Sequence, residues 1–373
     1  VSFDFLVAPF VVGAISSFLA VIISIIDKIV NNYGEVKLSI NGGKKELTVK
    51  GGSSLLFSLG EQDIFLPSAC GGRATCGVCK IKVLSDVGPH LPTELPFLTK
   101  KEVEQNIRLS CQIKVKTDLE VEIPEELFAI QKHTTTVSSI RDLTHDIKEV
   151  KCVLKEPQRI DFKAGQYAQF VIPPYGKIKQ ETQRAYSISS SPSRNGELEF
   201  IVRLVPGGIA TTYVFTILKE GDTLELIAPL GEFGLHGEYE DMLCIAGGSG
   251  MAPIKALLFD MFEKKVSGRD IYYFFGVAAT KDMFYLDMFY DLEKKWPSFH
   301  FIPVIAEPDP GGKWKGETGL VTLPLERYLK EKLSQDKPKQ GYLCGSPGMI
   351  DACIKVLTTH GIPEDSIFYD KFA

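Results

Sequence analysis

No Lys or Arg occurs before Lys28. A secretory leader needs positive charge ahead of its apolar run and a small-residue cleavage site after it, and neither is found. An excess of basic charge is also lacking: 42 Lys and Arg stand against 47 Asp and Glu, for a net charge of −5 and a pI near 5.8. That balance is unlike the basic footprint of nucleic-acid binders and argues for no nucleic-acid partner. There is no repeat of solenoid period and no low-complexity tract. What is present is a globular composition, 44% apolar over 373 residues, enough for two or three domains with their own cores.

The N-terminus differs in kind. Residues 5–26, FLVAPFVVGAISSFLAVIISII, carry no charge and are bracketed by Asp4 and Asp27. As a helix they would span roughly 30 Å, the thickness of a bilayer's hydrocarbon core. The run reads as a retained single-pass transmembrane anchor; a cleaved leader and a buried core helix are the alternatives. Lys28, Lys37, Lys44, Lys45 and Lys50 follow it and nothing basic precedes it. The expected location is therefore the inner (cytoplasmic) membrane, with the rest of the chain in the cytoplasm. Pro9 and Gly13 are tolerated in a membrane helix.

Eight cysteines stand at 70, 76, 79, 111, 152, 244, 344 and 353. An even count admits disulfides, but a large core and three clustered thiols fit a metal site in a reducing compartment better. Cys70-x5-Cys76-x2-Cys79, with Cys111 further on, supplies four soft ligands for zinc or for iron and sulfide. Structural zinc favours two short cysteine knuckles. Three ligands from one loop and a fourth from a distant strand match the [2Fe-2S] arrangement, here one residue longer than Cys-x4-Cys-x2-Cys. Gly71, Gly72 and Gly77 let such a loop turn its N–H groups toward sulfur. Unligated structural thiols are the third reading. Cys152, Cys244 and Cys353 read as core residues.

Along the chain the pattern is multidomain. Residues 1–33 are anchor and linker. Residues 34–128 hold a hairpin, EVKLSINGGKKELTV, a capped helix, SSLLFSLGEQ, and the cysteine loop, and predict a small α+β domain. Residues 129–236 carry short strands and turns that predict an antiparallel β-barrel. In 237–373 apolar strands alternate with amphipathic helices, which predicts an α/β domain with a parallel, doubly wound sheet.

Four further stretches carry chemistry. QRAYSISSSP puts Arg184 and Tyr186 on one face of a strand, with Ser187 and Ser190 following; a flavin needs an aromatic face, a hydroxyl near N5 and an Arg for its pyrophosphate. An ordinary strand with a surface Arg and a core Tyr would look the same. GGIATTYVF places Gly208, Thr211 and Thr212 at a helix start, where backbone donors can take a phosphate or merely cap the helix. CIAGGSGMAP is strand, glycine turn and helix; it is not a GxGxxG match and lacks a Walker lysine. Gly247, Gly248 and Gly250, followed by Met251 and Pro253, allow close approach of a pyrophosphate or a tight structural turn. LCGSPGM puts Cys344, Gly345 and Pro347 at another strand end.

With these residues in hand, the last 240 residues or so resemble the ferredoxin–NADP⁺ reductase superfamily. Its R-x-Y-S-x-x-S motif matches Arg184, Tyr186, Ser187 and Ser190; its nicotinamide motif matches GGSGMAP, and its C-G-x-P motif matches Cys344, Gly345 and Pro347. Through LPTEL, RLSCQ and YDKFA the whole chain resembles the family of NADH-oxidising subunits of sodium-translocating quinone reductases. Ala278 departs from an Arg common in relatives, and the stretch between FIVRLV and GGIATTY is short. The resemblance implies a β-grasp ferredoxin domain holding [2Fe-2S], a barrel holding FAD, and NADH as substrate. It implies hydride transfer to flavin N5 near Ser187, Cys344 beside the nicotinamide, and Phe372 over the flavin. Electrons would leave singly through the cluster to integral-membrane partner subunits. A tethered reductase feeding an oxygenase, and a non-catalytic redox sensor or carrier, are the competing readings. The preference for NADH over NADPH rests on the resemblance, with Lys281 near enough to matter.

Overall fold

The computed structural model describes residues 4–30, 33–237, 240–307, 311–334 and 336–372. The chain forms two compact units, Val1–Ala129 and Ile130–Ala373.

The first unit begins with helix α1, Asp4–Val30. Its described side chains, residues 10–24, are apolar or small, and Phe10, Val12, Phe18 and Ile23 are exposed. Those residues cover about 22 Å at 1.5 Å each, short of the ~30 Å of a hydrocarbon core. Among the described residues no helix is long and apolar enough to cross a membrane. The run expected to do so continues onto residues 5–9 and 25–26, whose side chains lie outside the described set.

Strands β1 (Glu35–Ile40) and β2 (Lys45–Lys50) form the expected hairpin, turned by Asn41, Gly42 and Gly43 at φ 53, 67 and 85°. Val36, Leu38 and Ile40 alternate inward from β1. Helix α2 (Leu55–Gly60) is capped by Ser54, whose hydroxyl accepts from Phe57 N at 3.4 Å. After β3 (Lys80–Val83) a short helix α3 (Lys100–Glu104) starts with a capping box between Thr99 and Glu102. Strands β4 (Ile107–Leu109) and β5 (Leu119–Glu122) complete a mixed sheet of order β2-β1-β5-β3-β4. Leu38, Leu55, Leu59, Ile81 and Val121 meet in its core. The loop before α3 is fastened by a buried ion pair: Glu94 accepts from Arg108 Nη2 at 2.7 Å, Leu91 N at 2.9 Å and Leu109 N at 3.0 Å.

The second unit contains two sheets. The first comprises β6 (Gln131–Asp142), β7 (Ile147–Glu156), β8 (Tyr167–Ile172), β9 (Thr182–Ser187), β10 (Glu197–Arg203) and, after helix α4 (Ile209–Thr216), β11 (Thr223–Leu230). All pairings are antiparallel, in the order β10-β7-β6-β11-β8-β9. The closed barrel expected here is a half-barrel. β10 commits its ladder to β7, and the residues after β9 meet it through the Ile188–Phe200 bridge and the Ser189 N to Glu199 O bond of 2.7 Å.

The second sheet is wholly parallel. Its members are β12 (Asp241–Gly247), α5 (Met251–Glu263), β13 (Ile271–Val277), α6 (Leu286–Lys295), β14 (Phe299–Ile305), β15 (Glu317–Thr318), α7 (Thr322–Glu331), β16 (Lys339–Gly345), α8 (Pro347–Thr359) and β17 (Ile367–Lys371). The strand order is β15-β14-β13-β12-β16-β17. Both faces are covered, so the strands read as apolar runs. Tyr273, Phe289, Phe299 and Phe301 pack on one side and Leu243, Ile245, Leu343 and Leu357 on the other. The order reverses at β12, which puts the ends of β12, β13 and β16 around one crevice. Crevices at such reversals are where ligands of these sheets bind.

Candidate functional site

The cysteine loop bends through Gly71, Gly72, Ala74 and Gly77 at φ 65, 83, 57 and 69°. At Gly77 space as well as backbone demands glycine, because a Cβ there would lie 2.6 Å from Phe97. The four expected ligands are brought together as two pairs. Cys76 Sγ donates to Cys70 Sγ at 3.4 Å, and Cys79 hydrogen-bonds Cys111, which follows β4. The bond from Cys76 lowers the Cys70 thiol to about 4, and the same bond raises Cys76. The bond from Cys79 lowers Cys111 to about 7, while Cys79 is raised. Each pair thus shares a proton that a metal ion would displace. Among the described residues no three His, Cys, Asp or Glu are grouped around one metal position. A two-and-two set suits a pair of irons better than one tetrahedral ion. Arg73 N lies 3.2 Å from Cys70 Sγ and Gln112 Nε2 3.7 Å from Cys111 Sγ, donors of the kind that tune cluster sulfur.

On the half-barrel, Arg184 and Tyr186 share a face of the edge strand β9, both half-buried. Tyr186 leans on Phe170 with ring centroids 4.5 Å apart, and burial raises its hydroxyl pKa. Ser187 is buried at the strand's end. This half-open aromatic and guanidinium pair fits a flavin ring and its phosphates. Two hydroxyls assigned from sequence also bond within the chain. Ser190 Oγ accepts from Glu199 N at 3.2 Å, stapling β9 to β10. Thr211 Oγ1 donates to Val205 O at 3.2 Å, closing its own turn. At the start of α4, Gly208 is the N-cap with no side-chain cap, and Thr212 is half-buried. The backbone donors there are still open to a phosphate.

At the sheet reversal a cavity of about 250 Å³ is lined by Gly247, Gly248, Gly276, Ser346 and Met349, together with Asp146, Arg203 and Asp282. Gly250 does not line it but sets its shape: a Cβ there would sit 2.3 Å from the carbonyl oxygen of Cys344. Gly250→Ala should therefore push the turn off β16 and slow NADH-driven flavin bleaching by about 10²-fold, with FAD retained. Stopped-flow reduction within twofold of the parent would show that the close approach does not matter. Met251 and Cys344 are fully buried in the core, and the Cys344 thiol is raised by burial and by Asp370. The Cys344 carbonyl lies against Gly250. Pro253 continues α5 and Pro347 starts α8. Phe372 N donates to Gly345 O at 2.9 Å, which fastens the C-terminal strand to the same strand end.

Two residues of this crevice, Arg203 and Asp282, and Asp370 beside Cys344 escaped sequence reasoning. Arg203 ends β10, bonds Asp146 through Nε at 2.9 Å and brings Nη1 within 3.5 Å of a Cβ built on Gly248. A charge there faces the glycine turn from the flavin-bearing sheet. Asp282 caps its loop through Oδ2, which accepts from Ala279 N at 3.0 Å, while its Oδ1 is buried without a hydrogen bond. His145 Nδ1 lies 3.6 Å from that oxygen. Asp370, opposite Cys344 in the β16–β17 ladder, is raised to about 6 by burial. The only sequence signal for any of them was position at a strand end.

Comparison with known proteins supplies the family. Residues 38–116 match the 2Fe-2S iron-sulfur cluster binding domain, 134–235 the oxidoreductase FAD-binding domain, and 244–355 the oxidoreductase NAD-binding domain. Among solved structures the chain is similar to the Amycolatopsis cytochrome P450 reductase GcoB, at 28% identity and TM-score 0.71, over 90% of this chain and 98% of that one. It is also similar to the ferredoxin reductase in carbazole 1,9a-dioxygenase, at 27% and TM-score 0.67, over 91% and 99%. It is 33% identical to the F subunit of the Na(+)-translocating NADH-quinone reductase of Neisseria meningitidis, over 91% of this chain and 92% of that one. With its counterpart in Actinobacillus succinogenes the identity is 34%, over 96% of both. The chain is an oxidoreductase with sites for a [2Fe-2S] cluster, FAD and a nicotinamide dinucleotide, and it belongs to the family of the F subunits of Na(+)-translocating NADH-quinone reductases.

Proposed function

We propose that this chain is the NADH-oxidising input of a membrane-bound, sodium-translocating quinone reductase, passing electrons from NADH through FAD and the cluster to integral-membrane partner subunits. The observation that carries the reading is the union of three sites in one chain with a match to the reductase's F subunit over 96% of its length. That match leaves out about 15 of the 373 residues, fewer than the 27 of α1, so it extends into the apolar helix. We assign residues 5–26 to a single-pass anchor of the inner membrane, with the domains 34–128, 129–236 and 237–373 in the cytoplasm.

When bound, FAD takes two electrons with the hydride that leaves NADH as NAD⁺ and releases them singly, the form in which a [2Fe-2S] cluster accepts them. Around it, Tyr186 supplies an aromatic face, Arg184 and the α4 amino end hold phosphate, and Ser187 donates near the reacting edge. Gly247 and Gly248 bring backbone N–H groups to the NADH pyrophosphate, with Arg203 opposite. Phe372, whose N–H holds it to Gly345 at the same strand end, would supply an aromatic cover for the flavin. Ser190, Thr211, Met251, Pro253, Cys344, Gly345 and Pro347 act by holding these elements in place. Cys70 with Cys76, and Cys79 with Cys111, would hold the cluster.

Tyr186→Ala is expected to release FAD, weakening its binding by roughly 10-fold or more, on the ~1.5–3 kcal/mol of a large buried side chain. Full FAD retention at low protein concentration would remove Tyr186 from the site. Asp282 lines the crevice, and its carboxylate charge disfavours a 2′-phosphate there. Asp282→Asn should narrow the preference for NADH over NADPH by about 10-fold, about 1.4 kcal/mol. An unchanged ratio of kcat/KM values would return the preference to other residues.

The similarity to a cytochrome P450 reductase and a dioxygenase reductase supports a second reading, a tethered reductase serving an oxygenase. Co-purification from membranes separates the two: multi-span subunits and NADH-dependent quinone reduction by the complex support the first, and a soluble oxygenase partner overturns it.

A further inference from the structure

A buried patch of charge joins the flavin-bearing sheet to the nicotinamide sheet, and none of the steps above uses it. Lys255, one turn into α5 beyond Gly250, is 7% exposed. Its Nζ pairs with Glu199 on β10 and lies 3.3 Å from Ser189 O. The same ammonium faces the rings of Tyr285 and Phe259 at 5.4 and 5.6 Å. Glu199 also accepts from Ser189 Oγ at 3.0 Å and pairs with Lys151 at 3.5 Å. Tyr285 closes the circuit: its hydroxyl donates to Glu149, and Arg141, which pairs with Glu149 at 3.2 Å, lies 5.7 Å from its ring centroid. Tyr285 holds φ at +58°, a conformation a bulky residue keeps only where its surroundings impose it. At the far end of α5, Glu263 accepts from Ser191 and Ser193 hydroxyls at 2.5 and 2.6 Å.

The consequence is geometric. α5 is pinned at both ends to residues 189–193, which directly follow Tyr186 and Ser187 on the flavin strand. The amino end of α5 is the glycine turn. Apolar side chains of similar size would hold two sheets together at least as strongly as buried ions. Hydrogen-bonded ions are directional, and in some proteins they select one register.

We propose that Lys255 and Glu199 are positioning residues for hydride transfer, fixing the dinucleotide turn at one distance and angle from the flavin strand. Lys255 acts through Glu199 and Ser189 and touches neither ligand. This rests on the assignment of FAD to β9 and of NADH to the glycine turn.

The test uses the full chain loaded with FAD and cluster, as wild type, Lys255→Met, Lys255→Arg and the double variant Lys255→Met with Glu199→Gln. Three readouts are taken: flavin bleaching at saturating NADH, the Kd of NAD⁺, and the long-wavelength charge-transfer absorbance of reduced enzyme with NAD⁺, which reports nicotinamide stacked on flavin. Lys255→Met should slow bleaching by about 10²-fold with the Kd changed less than about threefold, and should weaken the charge-transfer band. Lys255→Arg should restore both within a few-fold. The double variant leaves no unpaired buried charge; it should keep FAD and thermal stability and remain slow. Bleaching within threefold of wild type in either Met variant overturns the proposal. So does loss of FAD in both, which would make the network a folding element. Absence of NADH-dependent bleaching in the wild type would instead overturn the functional assignment beneath it.

Discussion

Cys76→Ala is expected to strip the cluster from this chain while leaving NADH able to reduce its FAD at close to the parental rate. Cys76 and Cys70 form one of two thiol pairs, so its removal takes away one of the expected cluster ligands. Iron should fall from two per chain to near zero, and reduction of a protein acceptor such as cytochrome c should drop more than about 10²-fold. That is a loss of the whole exit step rather than a perturbation, on the scale of at least ~2.7 kcal/mol. The flavin and nicotinamide sites lie in the other compact unit, Ile130–Ala373, whose core contains none of the four ligands. Iron analysis together with anaerobic stopped-flow bleaching makes the comparison. Simultaneous loss of flavin reduction would contradict this division of labour.

The second large effect concerns stability. Arg108→Leu leaves the Glu94 carboxylate, 0% exposed, without its cation. Breaking a buried pair from one side costs about 3–5 kcal/mol, a large part of a domain's ~5–15 kcal/mol. In a unit of this size that shifts the melting transition by more than about 12 °C. Replacing both residues by Leu should cost less than either single change, because no charge is stranded. A single variant that melts within a few degrees of the parent would show that the pair is dispensable. The pH dependence has a definite sign. Burial pushes the Glu94 carboxyl up, but Arg108 and the N–H groups of Leu91 and Leu109 outweigh it and hold the folded value below the usual one. The stabilisation is therefore present above the usual carboxylate range and is lost as pH falls through the depressed value. The double-Leu variant should lose less stability on acidification than the parent.

These two predictions differ in how far the sequence alone led to them. The grouping of the four cysteines was legible because thiol spacing is local and soft-ligand chemistry is narrow. The hairpin at Asn41 to Gly43 and the strand–turn–helix at Gly247 were legible for the same reason: glycine and asparagine mark backbone that few other residues adopt. The partnership of Glu94 with Arg108 was not, since 14 residues without periodicity separate them. Nor was that of Glu199 on β10 with Lys255 on helix α5, 56 residues apart. Hydroxyl roles were less legible. Ser190 and Thr211 match a ligand-binding pattern by type, and their oxygens also bond Glu199 N and Val205. Spacing names a hydroxyl but not the nearest orphan backbone group, which competes for it. Cys344 shows a similar limit: its place at a strand end was readable, the inward turn of its thiol was not. The half-barrel in place of a closed barrel reflects the single bridge from Ile188, just after β9, to β10, a tertiary outcome that strand spacing does not encode.

The central claim is that one chain carries electrons from NADH through FAD to a [2Fe-2S] cluster. It is tested most directly by adding NADH anaerobically to the purified chain loaded with FAD, iron and sulfide, and following flavin absorbance together with low-temperature electron paramagnetic resonance. The expected result is bleaching of the flavin, accompanied by the signal of a reduced [2Fe-2S] cluster. That signal should be absent from Cys76→Ala, which should still bleach. A flavin that bleaches beside a cluster that stays oxidised would contradict the proposed path.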